Sequence, residues 1–342
     1  MSNLKGVLIG ARVDGIFGNH LRGIRESEGS ELYGICDNHE DLLKRKMEEF
    51  NIERGVLDYR EYVNDPNVDY AVIAAPDYYH KEMTTAFLKA GKHVLLEKPM
   101  ALTLEECKEM IKTEKETGCR LMVGQVCRFN NNFVQAKKII DEGHLGELVF
   151  VEGEYAHDYK ERRGVDDWRV NPLREAMIGG GCHSVDLLRW IAGDPLEVHA
   201  FSNHKYLLDW PVNDSMVAIF KFPNDVIGKV FCSIGVKRNY TMRHAIYGTK
   251  GTLIFDNGTK EMYLFECDAD GNGYTKKQII PCNPQTHNMM AEVAEFVAAL
   301  RENRPFMTPS YEGAYTVAAC RAAVVSARTG ETVKIQYPVE CK

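Results

Sequence analysis

Two short stretches carry side chains whose types and spacing could do chemistry. In Val94-Leu95-Leu96-Glu97-Lys98-Pro99, an acid and a cation follow an apolar, strand-like run. If that strand is parallel, both lie at its carboxyl end, where such sheets bind ligands in a crevice. Pro99 pushes Lys98 away from helical geometry. A cation held in a dry cleft can stabilise charge developing on an oxygen. The bland alternative is a solvated surface lysine. In Gly179-Gly180-Gly181-Cys182-His183-Ser184-Val185-Asp186, three glycines feed a helix whose first turn can then approach another surface closely. His183 and Asp186 stand at i and i+3 and share a face. A carboxylate beside an imidazole raises its pKa and can orient it as an acid or base. The same pair is also a common decoration of a helix start.

A third stretch suits a phosphate. Gly10-Ala11-Arg12-Val13-Asp14-Gly15 lies between an apolar strand and a helix-like segment. It keeps the first and third glycines of a dinucleotide loop but has Arg12 at the second, where backbone normally approaches the pyrophosphate. Arg12 could supply a cation there, or the loop could rearrange around Gly15 and Gly18. An ordinary βα turn fits equally well. Asp37 closes the second strand, where an acid accepts hydrogen bonds from the adenosine ribose and repels a 2′-phosphate. That favours NAD over NADP. Asp37-Asn38 is also a common turn pair.

These residues need elements to hold them. Strand-like runs over 4–10, 32–36, 68–74, 93–96 and 121–123 alternate with helical patterns over 17–28, 39–50, 79–90 and 103–117. This is the signature of right-handed βαβ units and a parallel sheet. Thr103-Leu104-Glu105-Glu106 is a capping box, and Gly118 stands at the far end of its helix. The pattern then changes. After a helix over 131–141, strand-like runs follow one another over 148–155, 216–222, 226–234, 244–247, 252–255 and 262–265, as in a mostly antiparallel sheet. Helical patterns cover 183–191, 289–300 and 314–328. The expected architecture is α/β. Residues 1–125 form a doubly wound NAD(P)-binding Rossmann domain. Residues 126–342 form an α+β domain with a large open sheet, for substrate binding and oligomerisation.

Composition bounds the function. The chain has 342 residues, 44% of them hydrophobic and 27% charged, with a net charge of −7. That balance is globular, and it disfavours a nucleic-acid or polybasic membrane binder. No apolar run approaches the ~18–20 residues of a bilayer span. The start of the chain lacks the pattern of a secretory signal. Ten cysteines without a CxxC fit a reducing cytoplasm. No second His/Cys cluster completes a metal site around Cys182, His183 and Asp186, so no metal is expected.

The combination of Glu97-Lys98-Pro99 with Gly181-x-His183-x-x-Asp186 resembles the glucose–fructose oxidoreductase/inositol dehydrogenase (Gfo/Idh/MocA) family. Pro76-Asp77-x-x-His80, Ala90-Gly91-Lys92-His93-Val94, Gly124-Gln125 with Arg128-Phe129, and Tyr247-Gly248-Thr249-x-Gly251 agree with it. The resemblance implies an NAD(P)-dependent oxidoreductase acting on a sugar, sugar derivative or cyclitol, with a C-terminal sheet used for homodimers or homotetramers. It implies that Lys98 touches both the nicotinamide end and the reacting oxygen, and that His183 is the general acid/base. Ala75, Pro76, Asp77 and His80 would line the cofactor, with Gly10, Arg12, Gly15 and Asp37 at its other end. Glu97, Gln125 and Arg128 fall on cofactor-side positions. His157 and, by the same likeness, Tyr240 face substrate, with Asp186 beside His183. Trp168, in a loop with Arg162, Arg163 and Arg169, could reach the cofactor, and that basic loop is either a solvated face or a greeting for an anionic sugar. Many members carry an Asp four residues before the His; here that place is Gly179, which leaves Asp186 or water to orient His183. Two alternatives stay open. One is a redox-assisted lyase or glycosidase that recycles NAD. The other is a non-catalytic NAD-binding regulator, which the presence of both Lys98 and His183 argues against.

Overall fold

A computed structural model describes residues 2–11, 14–267, 274–283 and 287–338. Arg12 and Cys341 lie outside the described residues.

The first strands are short, apolar runs buried on both faces, as a parallel sheet between helices requires. They are β1 (Leu4–Ile9), β2 (Ser30–Cys36), β3 (Gly55–Val56), β4 (Tyr70–Ile73), β5 (His93–Glu97) and β6 (Leu121–Gly124). They pair in parallel in the order β3-β2-β1-β4-β5-β6. The order reverses between β1 and β4, and this switch point opens a crevice beyond their carboxyl ends. Helices α1 (Asp14–Glu26), α2 (Glu40–Phe50), α3 (Arg60–Asn64), α4 (His80–Lys89) and α5 (Leu104–Thr117) connect the strands. At the start of α5 the capping box forms in full, and Gly118 ends the helix in left-handed geometry.

After α6 (Asn131–Asp141), β7 (Leu148–Ala156) opens a second sheet. It is completed by β8 (Glu197–Asn203), β9 (Ser215–Lys221), β10 (Ile227–Ser233), β11 (Thr241–Gly248), β12 (Gly251–Asp256), β13 (Glu261–Cys267), β14 (Tyr274–Pro281) and β15 (Val333–Lys334). The order is β14-β13-β12-β11-β7-β10-β9-β8-β15. All pairs are antiparallel except β7 with β10. The sequence pattern misses β8, β14 and β15. The first mixes polar residues with its apolar ones, the second opens on Tyr-Thr-Lys-Lys, and the third has two residues. One face of this sheet is covered by α6, α7 (Cys182–Ala192) and α9 (Ser310–Thr329). On the other, Phe201, Ile219 and Ile227 stand exposed.

The last helices return to the first sheet. Val293, Phe296 and Val297 of α8 (Met289–Arg301) share a core with Leu8, Leu21 and Tyr70. In α9, Ala314 and Val317 join the first sheet's core, while Ala318, Ala319, Ala322 and Ala323 join the second's. Small side chains let this one helix serve as a wall common to both sheets. Among the described residues no helix is long and apolar enough to cross a membrane.

Candidate active site

The cleft has two ends. The first is a cavity of about 360 Å³ lined by Gly10, Asp37, Asn38, Tyr59, Pro76 and Tyr79, at the tips of β1, β2 and β4. Gly10 holds φ at +99°, and a Cβ there would lie 2.7 Å from the Ala74 carbonyl oxygen, so only glycine lets the loop pass this close to β4. Gly15 falls in the first turn of α1. Asp37 is buried, and its carboxylate accepts from the Ala11 N–H at 2.8 Å and the His39 N–H at 2.9 Å. It therefore has the turn-forming role and also lines the cavity. A loop that passes β4 only because it is glycine, leading into a helix start, fits a dinucleotide's phosphates.

The second end is a cavity of about 510 Å³ that shares Ala75 with the first. Lys98, Glu97, Asp77, His80, His157, Trp168, His183, Tyr240 and His287 are among its walls. Lys98 follows β5. His80 pins this turn to the end of β4, its ring nitrogens lying 2.9 Å from the Pro99 carbonyl and 3.0 Å from that of Ala75. His157 continues β7, and its ring lies 4.7 Å from that of Tyr240. Asp77 takes the Arg174 guanidinium at 2.6 Å, tying the first sheet's loop to the segment before α7.

His183 sits where a wide π-helical turn, Met177–Gly181, runs into α7. The three glycines are thus inside a buried helical turn, not ahead of a helix start. Such turns recur at functional sites. The absent Asp has a physical counterpart: a Cβ on Gly179 would meet Arg174 Nη1 at 2.4 Å, so the guanidinium occupies that space. The His183 ring stacks on Tyr155, with centroids 5.9 Å apart. Its Nδ1 lies 3.3 Å from Cys127 Sγ, and the Cys127 thiol points also at Met242 Sδ, 3.8 Å away. Burial, then the positive charge of Lys98, holds His183 well below the usual histidine pKa. The same two causes bring His287 down to about 3.

This corrects the expected partnership of His183 with Asp186. Asp186 turns away and binds Arg128 through two bonds, at 2.9 and 2.7 Å, with Thr316 and Arg189 beside it. Arg128 also reaches Glu312 at 2.7 Å. These groups form a buried polar joint between α7 and α9; neither Arg128 nor Asp186 lines the cavity. The helical spacing is right, but a guanidinium competes for the carboxylate better than a neutral imidazole does. Gln125 is buried after β6, also outside the lining.

The expectation of no second His/Cys cluster gives way too. Cys127, His183 and His287 bring one ligand atom each within 4.8 Å of one another, as do His20, Glu97 and Glu292. Burial pushes the Glu292 carboxyl up to about 8. Cys127, Tyr155, Arg174, His287 and Glu292 escape the sequence reading because they come from separate elements. Cys127 lies inside a motif already quoted, while Tyr155 and Glu292 lie in runs read only as a strand and a helix.

A model of an oxidoreductase family with an NAD-binding Rossmann fold matches residues 4–125, and that family's C-terminal domain matches 133–254. A myo-inositol 2-dehydrogenase of Thermotoga maritima is 25% identical over 328 residues, 93% of this chain and 95% of its own. A levoglucosan dehydrogenase of Pseudarthrobacter phenanthrenivorans is 24% identical over 346 residues, 87% of each chain. A solved levoglucosan dehydrogenase in complex with NADH shares the fold, with a TM-score of 0.84 at 21% identity over 98% of this chain and 100% of that one. With both of the family's domains matched in order along one chain, the protein belongs to the GFO/IDH/MocA oxidoreductase family.

Proposed function

We propose that the protein oxidises a carbinol carbon of a sugar, sugar derivative or cyclitol, or reduces the ketone in reverse, with NAD preferred to NADP. One observation carries this: Lys98, just after β5, and a neutral His183, in the first turn of α7, face one cavity that continues into the crevice at Gly10 and Asp37. Gly10, Asp37, Pro76 and Tyr79 would hold the adenosine half of the dinucleotide. Ala75, His80, Glu97 and Lys98 would hold its nicotinamide half, with Trp168 at the rim. When bound, the nicotinamide exchanges a hydride with the reacting carbon.

The protein's own groups do the rest. Lys98 donates a hydrogen bond to the reacting oxygen and stabilises the alkoxide as it forms. His183 accepts the hydroxyl proton. With the Cys127 thiol donating to Met242, its sulfur accepts from His183 Nδ1–H, which leaves Nε2 as the base. His157 and Tyr240 position the substrate. Incubation with NAD or NADP and a panel of sugars and cyclitols, followed by NADH absorbance, tests this. Products without net NADH favour the recycled-NAD lyase, and NAD binding without turnover of any substrate favours a regulator. The exposed Phe201, Ile219 and Ile227 give a second copy an apolar face to cover, so light scattering should return a dimer or tetramer; a monomer mass near 38.8 kDa overturns that. The free cysteines Cys36, Cys107, Cys119, Cys127, Cys182, Cys232 and Cys320, all buried, suit a reducing cytoplasm.

A further inference from the structure

The segment from His157 to Arg174 closes the substrate end of the cleft, and its cations are not alike. Arg163 is taken by Asp167 at 2.9 Å and Asp209 at 2.7 Å. Arg174 is taken by Asp77. Among the described residues, Arg162 and Arg169 make no ion pair, yet both line the cavity with Lys98. Arg169 is half-buried, its guanidinium lying over the Trp168 indole at 4.1 Å. That stacking fixes the plane of the group and leaves its N–H edge for a ligand.

Among the described residues, the cavity's acids do not balance these charges: Asp77 and Glu97 are the carboxylates in the described lining. Asp77 is held by Arg174. Glu97 sits at the back, 3.4 Å from His20, and its burial favours the neutral carboxyl. The surplus positive charge is felt at the wall: burial, then Arg162 and Arg169, bring His157 down to about 4. A half-buried guanidinium without a carboxylate is costly unless a ligand supplies one. A neutral sugar's hydroxyls can accept hydrogen bonds from a guanidinium but bring no charge to balance it, whereas a carboxylate does both.

We infer that the substrate is a sugar acid, whose carboxylate is held by Arg169 and Arg162 while a hydroxyl elsewhere on the molecule meets Lys98 and His183. This rests on the dehydrogenase reading above and narrows its substrate class. The planar fork of Arg169 matches a carboxylate through two parallel bonds. The carboxylate also orients the polyol, so the choice of oxidised carbon follows from its distance to the anion.

The test measures binding apart from turnover. Calorimetry on the protein–NADH complex compares glucose, myo-inositol, glucuronate, gluconate and glucose 6-phosphate. One of the acids should bind at least about tenfold more tightly than the neutral compounds. Arg169→Gln should weaken that acid by roughly 30- to 100-fold, the loss expected when one member of a buried charge pair is removed. NADH affinity, read by fluorescence, and the melting temperature should stay near wild type. Equal binding of acids and neutral compounds overturns the inference, as does preference for the phosphate. Loss of NADH affinity in Arg169→Gln overturns it as well, by giving the arginine to the cofactor. NADH formation on the same panel separates the two readings. Turnover of neutral sugars alone keeps the dehydrogenase and overturns the acid; tight, Arg169-dependent binding of an acid without turnover of any compound does the reverse.

Discussion

At the adenosine end of the cleft, Gly10, Asp37 and Pro76 sit at the tips of neighbouring parallel strands. At the other end, Lys98 follows β5, Cys127 follows β6, His157 leaves β7, His183 enters α7 and His287 precedes α8. The first end is held by backbone geometry: a positive-φ glycine, and two backbone N–H groups fixed on the Asp37 carboxylate. The second is made from side chains whose protonation is set by burial and by one another. Binding at the first end should therefore survive side-chain changes that abolish chemistry at the second.

The largest effect should come from the reacting groups. Lys98→Ala and His183→Ala should each lower kcat by roughly 10²–10⁴-fold, with effects less than additive in the double variant, and His183→Ala should leave NADH binding near wild type. Substantial turnover by folded His183→Ala would sink the assignment. Because burial and Lys98 hold His183 below its ordinary pKa, the neutral base persists to lower pH. In oxidation, kcat/KM should stay flat through the ordinary histidine range and fall only beneath it. A limb centred near about 6.5 would mean a solvent-like imidazole.

Next in size is the carboxylate at the adenosine end. Asp37→Asn keeps the turn but removes the charge, so the ratio of NADP to NAD affinity should rise about tenfold. An unchanged ratio leaves Asp37 with its backbone bonds alone.

Smaller still is the sulfur behind His183. Cys127→Ala should lower kcat roughly tenfold with KM little changed, and ¹⁵N spectra should show His183 losing its single Nδ1–H tautomer. Cys127→Ser should recover part of both. A chelator should leave the wild-type rate intact; loss of activity would hand Cys127, His183 and His287 to a metal.

The smallest effect is on stability. An acid whose folded pKa is raised contributes stability while protonated, fully below the ordinary carboxylate range, and loses it as pH rises through the raised value. For Glu292 that value is about 8. Glu292→Gln should gain in melting temperature over wild type as pH goes from about 6 to about 9. A constant gap would mean that Glu292 ionises freely.

Local pattern told a good deal about this chain. The βα alternation is visible because buried parallel strands must be continuous apolar runs, and α5 announces both its ends through Thr103, Glu106 and Gly118. Lys98 is legible because a strand end in a parallel sheet is a place as well as a residue. Asp186 shows where that reasoning stops. Its spacing from His183 puts the two on one face, but spacing carries no information about Arg128, which arrives from another element and takes the carboxylate.

By itself, then, the sequence determined the two sheet types, the glycine turn at β1, the acid closing β2 and the lysine closing β5. Periodicity and backbone sterics act over a few residues, so these need no distant partner. Only the tertiary structure decided that α8 and α9 return to the first sheet, that Cys127 and not Asp186 meets the imidazole, and that Arg162 and Arg169 line the cavity without an ion pair among the described residues. Those outcomes depend on which charges and apolar faces meet across the fold. Desolvation, which sets their protonation, exists only once the chain has closed around them.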